Sequence, residues 1–252
     1  MIGECKLCLT KKDLRLSHSI PKSFFKRAKE NGKLVLIQDG KKTIHGSFDP
    51  KEYMLCQDCE VFIEKNYEAY GTTVLRNHKK ITKYEDHLIL ASFKYEKFYL
   101  YLLSILWRAS LSTHNHYESV FCSEVLESLL RHCISNKKIE INSSGVRLDY
   151  FIRICVFRII DSTGTIPEEI IRSLLSNFSQ VAETNKEAVY WYWIVDGFII
   201  FYYLSVENDE HSIRFTRLKS QLVKGSHQKI IKLDIKTDKV LLNVFSHLIL
   251  KE

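Results

Sequence analysis

Proline and glycine are scarce in this chain, which has 3 Pro and 9 Gly among 252 residues. This scarcity excludes long flexible or Pro-rich linkers, and low-complexity tracts are also missing. The most apolar run, residues 190–204, is interrupted by Asp196 and Gly197 and is too short to span a bilayer. The first residues do not resemble a signal peptide. These absences predict a globular cytoplasmic protein that is not embedded in a membrane.

Several common catalytic signatures are missing as well. The sequence has no phosphate-binding glycine loop, no dinucleotide fingerprint and no nucleophile elbow. An odd count of seven cysteines argues against a complete set of disulfides. Three of them lie outside any Cys–His motif and are interpreted as reduced thiols, as expected in the cytoplasm. These three are Cys122, Cys133 and Cys155.

The other four cysteines form two Cys-x-x-Cys pairs, Cys5 with Cys8 and Cys56 with Cys59. Thiolates two residues apart on a tight turn can share one tetrahedral zinc ion, and two such turns complete a four-cysteine site. The spacing therefore predicts one structural zinc; the alternative is four reduced cysteines in a core. The 47 residues between the pairs are more than a simple zinc ribbon needs, so this insert should carry structure of its own.

The basic residues are unevenly distributed along the chain. Residues 1–83 contain 17 Lys and Arg against 10 Asp and Glu, whereas residues 84–210 contain 11 against 17. Residues 211–252 are again basic, with 9 against 3. Basic surfaces attract phosphate backbones by counterion release, so the two basic segments favour a nucleic-acid partner. The alternative is that these charges only keep the protein soluble.

Three strings resemble the HNH, or ββα-metal, nuclease family on a treble-clef zinc scaffold. They are SHSIPKSFF from Ser17, MLCQDCE from Met54 and LSILWRASLS from Leu103, and the HNH-like part covers about residues 1–70. The resemblance is closest to a bacterial group described as HNH-endonuclease-like. It implies a β-hairpin that carries a catalytic histidine between the two zinc pairs. A helix that opens at the second pair would then carry a metal ligand.

The resemblance implies that His18 is the general base and that Glu60 is a ligand of the catalytic metal. The alternatives for His18 are a hydrogen-bonded residue of the hairpin or a zinc ligand, and His45 is a second histidine that could approach the site. The chain departs from the family pattern in three ways. Ser17 stands where the family has Asp, Glu60 stands where it usually has His, and the expected Asn before Leu55 is missing.

Since Ser17 has no charge, Glu60 and Glu64 must supply the anionic ligands. Glu64 lies one helical turn after Glu60 on the same side. Carboxylate ligands favour Mg²⁺ or Mn²⁺ at the catalytic site, in addition to the structural zinc. The residues expected to contact phosphates are Lys22, Lys26, Arg27, Lys29, Lys79 and Lys80.

The predicted fold class is α+β. Residues 1–84 are expected to form a zinc-bound treble-clef or ββα-metal module, and residues 85–252 a larger mixed α+β domain. Within the module, we predict a hairpin over residues 34–48 and a helix over residues 56–70 that Gly71 ends. Residues 72–92 are predicted to form a connection.

In the second domain the apolar periodicity predicts a central helix over residues 95–112 and a further helix over residues 117–135. Pro167 begins a third predicted helix, over residues 167–178. β-branched and aromatic residues predict a strand over residues 149–160 and a hairpin across Asp196-Gly197.

The leading hypothesis is a metal-dependent endonuclease that cleaves nucleic acid, with DNA favoured over RNA. By analogy, such an architecture suits bacterial defence against phage or mobile elements. The second hypothesis is a non-catalytic zinc module that binds nucleic acid. The third is an interaction subunit in which residues 85–252 dock a partner protein.

Overall fold

The strands form where β-branched and aromatic residues predominate, and the helices where apolar residues recur every three to four positions. The computed structural model describes residues 1–25, 34–38, 41–45, 50–141, 145–182, 189–204 and 221–249. The strands in these ranges are β1 (Ile2–Glu4), β2 (Lys11–Ser17), β3 (Leu34–Gln38), β4 (Lys41–His45), β5 (Glu52–Cys56), β6 (Ile81–Lys83), β7 (His87–Ala91), β8 (Ile152–Ile160), β9 (Leu174–Ser176), β10 (Ser179–Ala182), β11 (Val189–Val195), β12 (Phe198–Leu204) and β13 (His227–Asp234). The helices are α1 (Gln57–Ile63), α2 (Ala69–Val74), α3 (Tyr95–Leu111), α4 (Glu124–Asn136), α5 (Glu168–Ser173) and α6 (Lys239–Ile249), and a π turn, Glu64–Glu68, joins α1 to α2.

Two sheets organise the chain, and together with the helices they confirm the mixed α+β class. The small N-terminal sheet has the order β1-β2-β5, and its neighbouring strands are antiparallel. The large sheet has ten strands in the order β4-β3-β9-β11-β12-β8-β13-β7-β6, with β10 paired to β11. It is a mixed sheet because β3 runs parallel to β9 and β8 runs parallel to β13, whereas its other pairs are antiparallel.

The large sheet is covered on both faces, as strand β8 shows. Ile154 and Val156 point into one apolar cluster, which also contains α3, and the alternate residues Cys155 and Phe157 point into a second cluster, which contains residues of α5 and α6. Since neighbouring side chains of a strand point to opposite faces, these alternating apolar residues bury β8 on both sides, although the strand also contains Arg153 and Arg158.

Helix α3 is the central helix that the sequence predicts. Thirteen of its 17 residues are buried, so it is apolar almost all round, as a helix inside a core must be. The hydroxyl of Tyr202 on β12 donates to the carbonyl of Leu102, 3.0 Å away, which ties α3 to the sheet. The hairpin across Asp196-Gly197 is also confirmed, with positive φ at both residues (51° and 74°).

Several predicted boundaries are wrong. Gly71 does not end the first helix but lies inside α2, where a Cβ on this residue would be 2.1 Å from Cγ of Tyr101. Glycine therefore permits the helix to approach α3 closely. The helix predicted over residues 167–178 stops at Ser173, because the next residues form β9 and pair with β3 and β11.

Two further predictions need similar corrections. The helix predicted from residue 117 begins at Glu124, after Ser123, whose hydroxyl accepts a hydrogen bond from the N–H of Leu126. Residues 72–92 are not a simple connection, because they contain the end of α2 and the paired strands β6 and β7.

The zinc module and the rest of the chain share structure across the predicted boundary between residues 84 and 85. The predicted hairpin forms as β3 and β4, but β3 pairs with β9 and so extends the large sheet. One apolar cluster contains Cys5 and Leu14 of the module together with residues of α3 and β8. The boundary itself stays a prediction. No helix in the described ranges is both long and apolar enough to cross a membrane.

Candidate functional site

The first cysteine pair lies on the turn between β1 and β2. The N–H of Leu9 donates to the carbonyl of Cys5 at 2.8 Å, and the N–H of Cys5 donates to the carbonyl of Thr10 at 3.0 Å. Leu9 has a positive φ of 56°, which folds the chain back after Cys8. The second pair lies where β5 meets α1, since Cys56 is the last residue of β5 and Cys59 lies in the first turn of α1.

The four cysteine side chains converge. Their Sγ atoms all lie within 4.8 Å of one another, and the Sγ atoms of Cys8 and Cys56 are 4.0 Å apart. Four thiolates around a tetrahedral zinc, each with a Zn–S bond of about 2.3 Å, are separated by about 3.8 Å. The N–H of Cys56 also donates to Sγ of Cys5 at 3.3 Å. Geometry and donor chemistry therefore fit one structural zinc ion held by these four residues.

The remaining cysteines do not resemble reactive thiols. All seven cysteines are free of disulfides. Burial raises the pKa of Cys122 and of Cys133 to about 11, and it also raises the pKa of the fully buried Cys155. A thiol with a raised pKa is a poor nucleophile at neutral pH. The absence of disulfides agrees with the interpretation of these three residues as reduced thiols.

Ser17 and Glu60 meet beside the four-cysteine cluster. Ser17 is the last residue of β2, and its buried hydroxyl donates to the carboxylate of Glu60 in α1. The same hydroxyl accepts a hydrogen bond from the N–H of Leu55 at 3.2 Å. Burial raises the pKa of Glu60, while the Ser17 hydrogen bond and the charge of Arg108 act to lower it. Strands β2 and β5 and helix α1 thus meet around one half-buried carboxylate.

His18 follows Ser17 directly and is half-buried. Its ring centroid is 6.2 Å from that of Phe25. Its main-chain carbonyl accepts a hydrogen bond of 2.7 Å from Nη1 of Arg108, which lies near the end of α3. His18 therefore contacts Phe25, which precedes the predicted domain boundary, and Arg108, which follows it.

Arg108 is the residue that connects this segment to the core. Only 2% of its side chain is exposed, and its Nη2 lies 2.8 Å from Oε1 of Glu68. The Nε of Arg108 donates to the main-chain carbonyl of Ser104 at 3.1 Å. The main-chain carbonyl of Arg108 accepts a hydrogen bond of 3.3 Å from the hydroxyl of Ser19. Arg108 therefore pairs with a carboxylate and with two main-chain carbonyls, those of His18 and Ser104.

The π turn brings Glu68 to the face of the helix that carries Glu60. In an uninterrupted α-helix, the eight-residue step from Glu60 to Glu68 would place the two side chains about 80° apart around the helix axis. A π turn contains one extra residue and so removes about 100° of that rotation, which returns Glu68 to nearly the same face as Glu60. Glu64, at the start of the π turn, is exposed. No sequence signal predicts the π turn, and so Glu68 is missed.

The predicted phosphate-contacting residues are only partly described. Lys22, Lys79 and Lys80 are exposed. Lys26, Arg27 and Lys29 lie outside the described residues. His45 is described only by its backbone, which pairs with Leu34.

Known proteins add nothing to this geometry: no family model matches the chain, and neither a curated protein nor a solved structure matches it. Within the described residues, the four cysteines are the only group of three or more His, Cys, Asp or Glu side chains that could hold a metal ion. The functional interpretation therefore depends on the chemistry of the cysteine cluster and of the residues around Glu60.

Proposed function

We propose that this protein is a zinc-stabilised, HNH-like endonuclease that hydrolyses phosphodiester bonds, with DNA favoured over RNA. One observation carries this proposal. His18 follows β2, and Glu60 lies in the first turn of α1. The hydrogen bond between Ser17 and Glu60 links this strand to this helix. The four-cysteine cluster lies next to both elements. Two strands and a helix around one histidine and one carboxylate are the arrangement that the resemblance predicts for residues 1–70.

In the proposed reaction, water attacks the phosphorus atom and the neutral imidazole of His18 takes the proton of that water. The bond between phosphorus and the leaving sugar oxygen breaks, and this oxygen takes a proton from solvent. The hydrogen bond from Arg108 to the His18 carbonyl keeps the imidazole in place, because it fixes the main chain that carries it. Such fixed positioning lowers the entropic part of the barrier.

The carboxylate of Glu60 is an oxygen ligand of the kind that suits a hard cation. Mg²⁺ is usually bound through one or two carboxylates together with phosphate oxygens of the substrate, so Glu60 and the substrate would hold Mg²⁺ or Mn²⁺. Such an ion would supply charge stabilisation at the leaving oxygen. The nearby positive charge of Arg108 is balanced by Glu68 at 2.8 Å, which limits its repulsion of a cation.

A non-catalytic nucleic-acid-binding module is the second candidate. It is favoured by the absence, within the described residues, of a second cluster of three or more metal ligands. Ser17 in place of the family's Asp also favours it. In this case the exposed Lys22, Lys79 and Lys80 would bind phosphates and no bond would be cleaved.

Cleavage of plasmid DNA and of RNA in Mg²⁺ or Mn²⁺ tests the first candidate. We expect H18A and E60Q to keep the zinc ion and the fold but to cleave at least about 100-fold more slowly, the typical contribution of general acid–base catalysis. The control variants H132A and E124Q make the same changes on the exposed surface of α4 and should retain full activity.

An inert wild-type protein in both metals would contradict the nuclease proposal, and so would equal rates for wild type and H18A. Salt-dependent binding of nucleic acid without cleavage would instead support the second candidate.

A further inference from the structure

A large cavity lies at the other end of α3 from the candidate site. Its volume is about 660 Å³, and it is bounded by the first turn of α3, the π turn and the loop before β13. Apolar and aromatic residues line part of it, namely Tyr67, Phe93, Tyr95 and Leu100. Along the helix axis, the 13 residues from Tyr95 to Arg108 span about 20 Å, so this cavity is separate from the site around Glu60.

Four lysines line this cavity, against a single carboxylate. The lysines are Lys94, Lys97, Lys137 and Lys224, and the carboxylate is Glu96. Within the described part of the chain, none of the four has a carboxylate within 4.0 Å; Glu96 is 3.9 Å from Nη1 of Arg147 instead. This excess of positive charge occurs although residues 84–210 carry 17 acidic against 11 basic residues.

Three of these lysines occupy positions where the local structure favours other residues. Lys94 is the N-cap of α3, a position that favours Ser, Thr, Asp or Asn, and it makes no side-chain cap. Lys97 is the third residue of the same helix, where positive charge is unfavourable. Lys137 follows α4 with a φ of 55° and a ψ of 36°, the left-handed conformation usually taken by glycine.

Lys97 has one partner, since its Nζ lies 5.9 Å from the centroid of the Tyr70 ring. Residues that break local rules without a visible structural gain, as Lys94 and Lys137 do, often serve a function. All three lysines line the same cavity, whose wall also contains Asn66 and Tyr67 of the π turn. π turns are frequent at functional sites. A bound anion would stabilise the positive charge of the lysines that line the cavity.

We propose that this cavity binds a phosphate-bearing ligand. Cavities of about 300–1,000 Å³ bind small molecules of nucleotide size, and lysines bind phosphate oxygens as point charges. Two sources share this chemistry: a free nucleoside polyphosphate, and the backbone of a nucleic-acid strand. This site does not depend on the nuclease activity proposed above.

Binding experiments with the full-length, zinc-loaded protein test this site. The probes are pyrophosphate, ATP and a fluorescent 12-nucleotide single-stranded DNA, measured without added divalent metal so that no cleavage intervenes. We expect at least one probe to bind with Kd below about 1 mM, and the K94Q/K137Q variant to bind it at least about tenfold more weakly, a loss typical of removed phosphate contacts. The control variant K138Q/K236Q removes two other exposed lysines and should bind as the wild type does.

One further variant separates binding from folding. K137G should raise the midpoint of thermal unfolding, because glycine favours the left-handed conformation, yet it should weaken binding of the same probe. Binding of ATP and pyrophosphate but not of the DNA would assign a free nucleotide, and the reverse would assign a strand. The proposal is overturned if no probe binds below about 1 mM, or if K94Q/K137Q binds every probe as tightly as the control does.

Discussion

Changing Cys56 to serine is expected to abolish zinc binding and to unfold the small sheet together with α1. Cys56 joins β5 to α1, and its Sγ lies 4.0 Å from that of Cys8 on the opposite turn. Structural zinc sites contribute apparent binding free energies of about 10–16 kcal/mol, which exceeds the net stability of many domains, about 5–15 kcal/mol. The three short strands of the small sheet bury too little apolar surface to replace that contribution.

The unfolding should extend beyond the zinc module. Cys5, Leu14 and Leu55 belong to the same apolar cluster as α3, so loss of the small sheet exposes one side of that helix. We therefore expect a lower midpoint of thermal unfolding for the whole chain and rapid proteolysis within residues 1–70. Elemental analysis and limited proteolysis measure both effects.

Cys122 provides the control, since it lies outside the four-cysteine cluster and is only partly buried. C122S should keep one zinc ion per chain and resist proteolysis. A C56S protein that retains both zinc and the wild-type thermal midpoint would contradict the assignment of the metal site.

Changing Arg108 to methionine is expected to lower the free energy of unfolding by about 3–5 kcal/mol, the usual cost of removing one partner from a buried ion pair. Methionine replaces the unbranched stem of the side chain but leaves the carboxylate of Glu68 and the carbonyl of His18 without their charged donor. Urea denaturation of wild type and R108M measures the difference.

A double-mutant cycle distinguishes loss of the pair from poor packing of the new side chain. R108M/E68Q removes the unpaired charge as well and should recover part of the lost stability. The i,i+4 pair of Arg131 and Glu127, which is more exposed, is the matched control, and R131M should cost no more than about 1 kcal/mol. A loss below about 1 kcal/mol for R108M would contradict the role of Arg108 in holding the His18 segment.

The four-cysteine cluster is predictable from sequence because the Cys-x-x-Cys spacing that defines it involves only neighbouring residues. Two Cys-x-x-Cys turns specify the ligands whatever lies between them, and the four thiols are found together. The central helix and the hairpin across Asp196-Gly197 are predictable for the same reason, since periodicity and turn chemistry act over a few residues. The roles of His18 and Glu60 follow from the resemblance and remain proposals.

The contacts that complete the candidate site are not local and were not predicted. Arg108 is 90 residues from His18 in sequence and 40 residues from Glu68. Contacts over such separations produce no periodicity or motif that a single sequence could reveal. Ser17 has no charge to offer a metal, but its hydroxyl donates to the carboxylate of Glu60, 43 residues away in sequence. Similarly, the pairing of β3 with β9 joins the insert to the large sheet over more than 130 residues.

Zinc K-edge X-ray absorption of the purified full-length protein tests the central claim, that one zinc held by four cysteines positions the His18 and Glu60 segments. We predict one zinc ion per chain and a single shell of four sulfur atoms at about 2.3 Å. A chain purified without chelator that contains no zinc would contradict the account. A shell that includes nitrogen would do so too, because a histidine such as His18 would then be a zinc ligand and could not act as the proposed base.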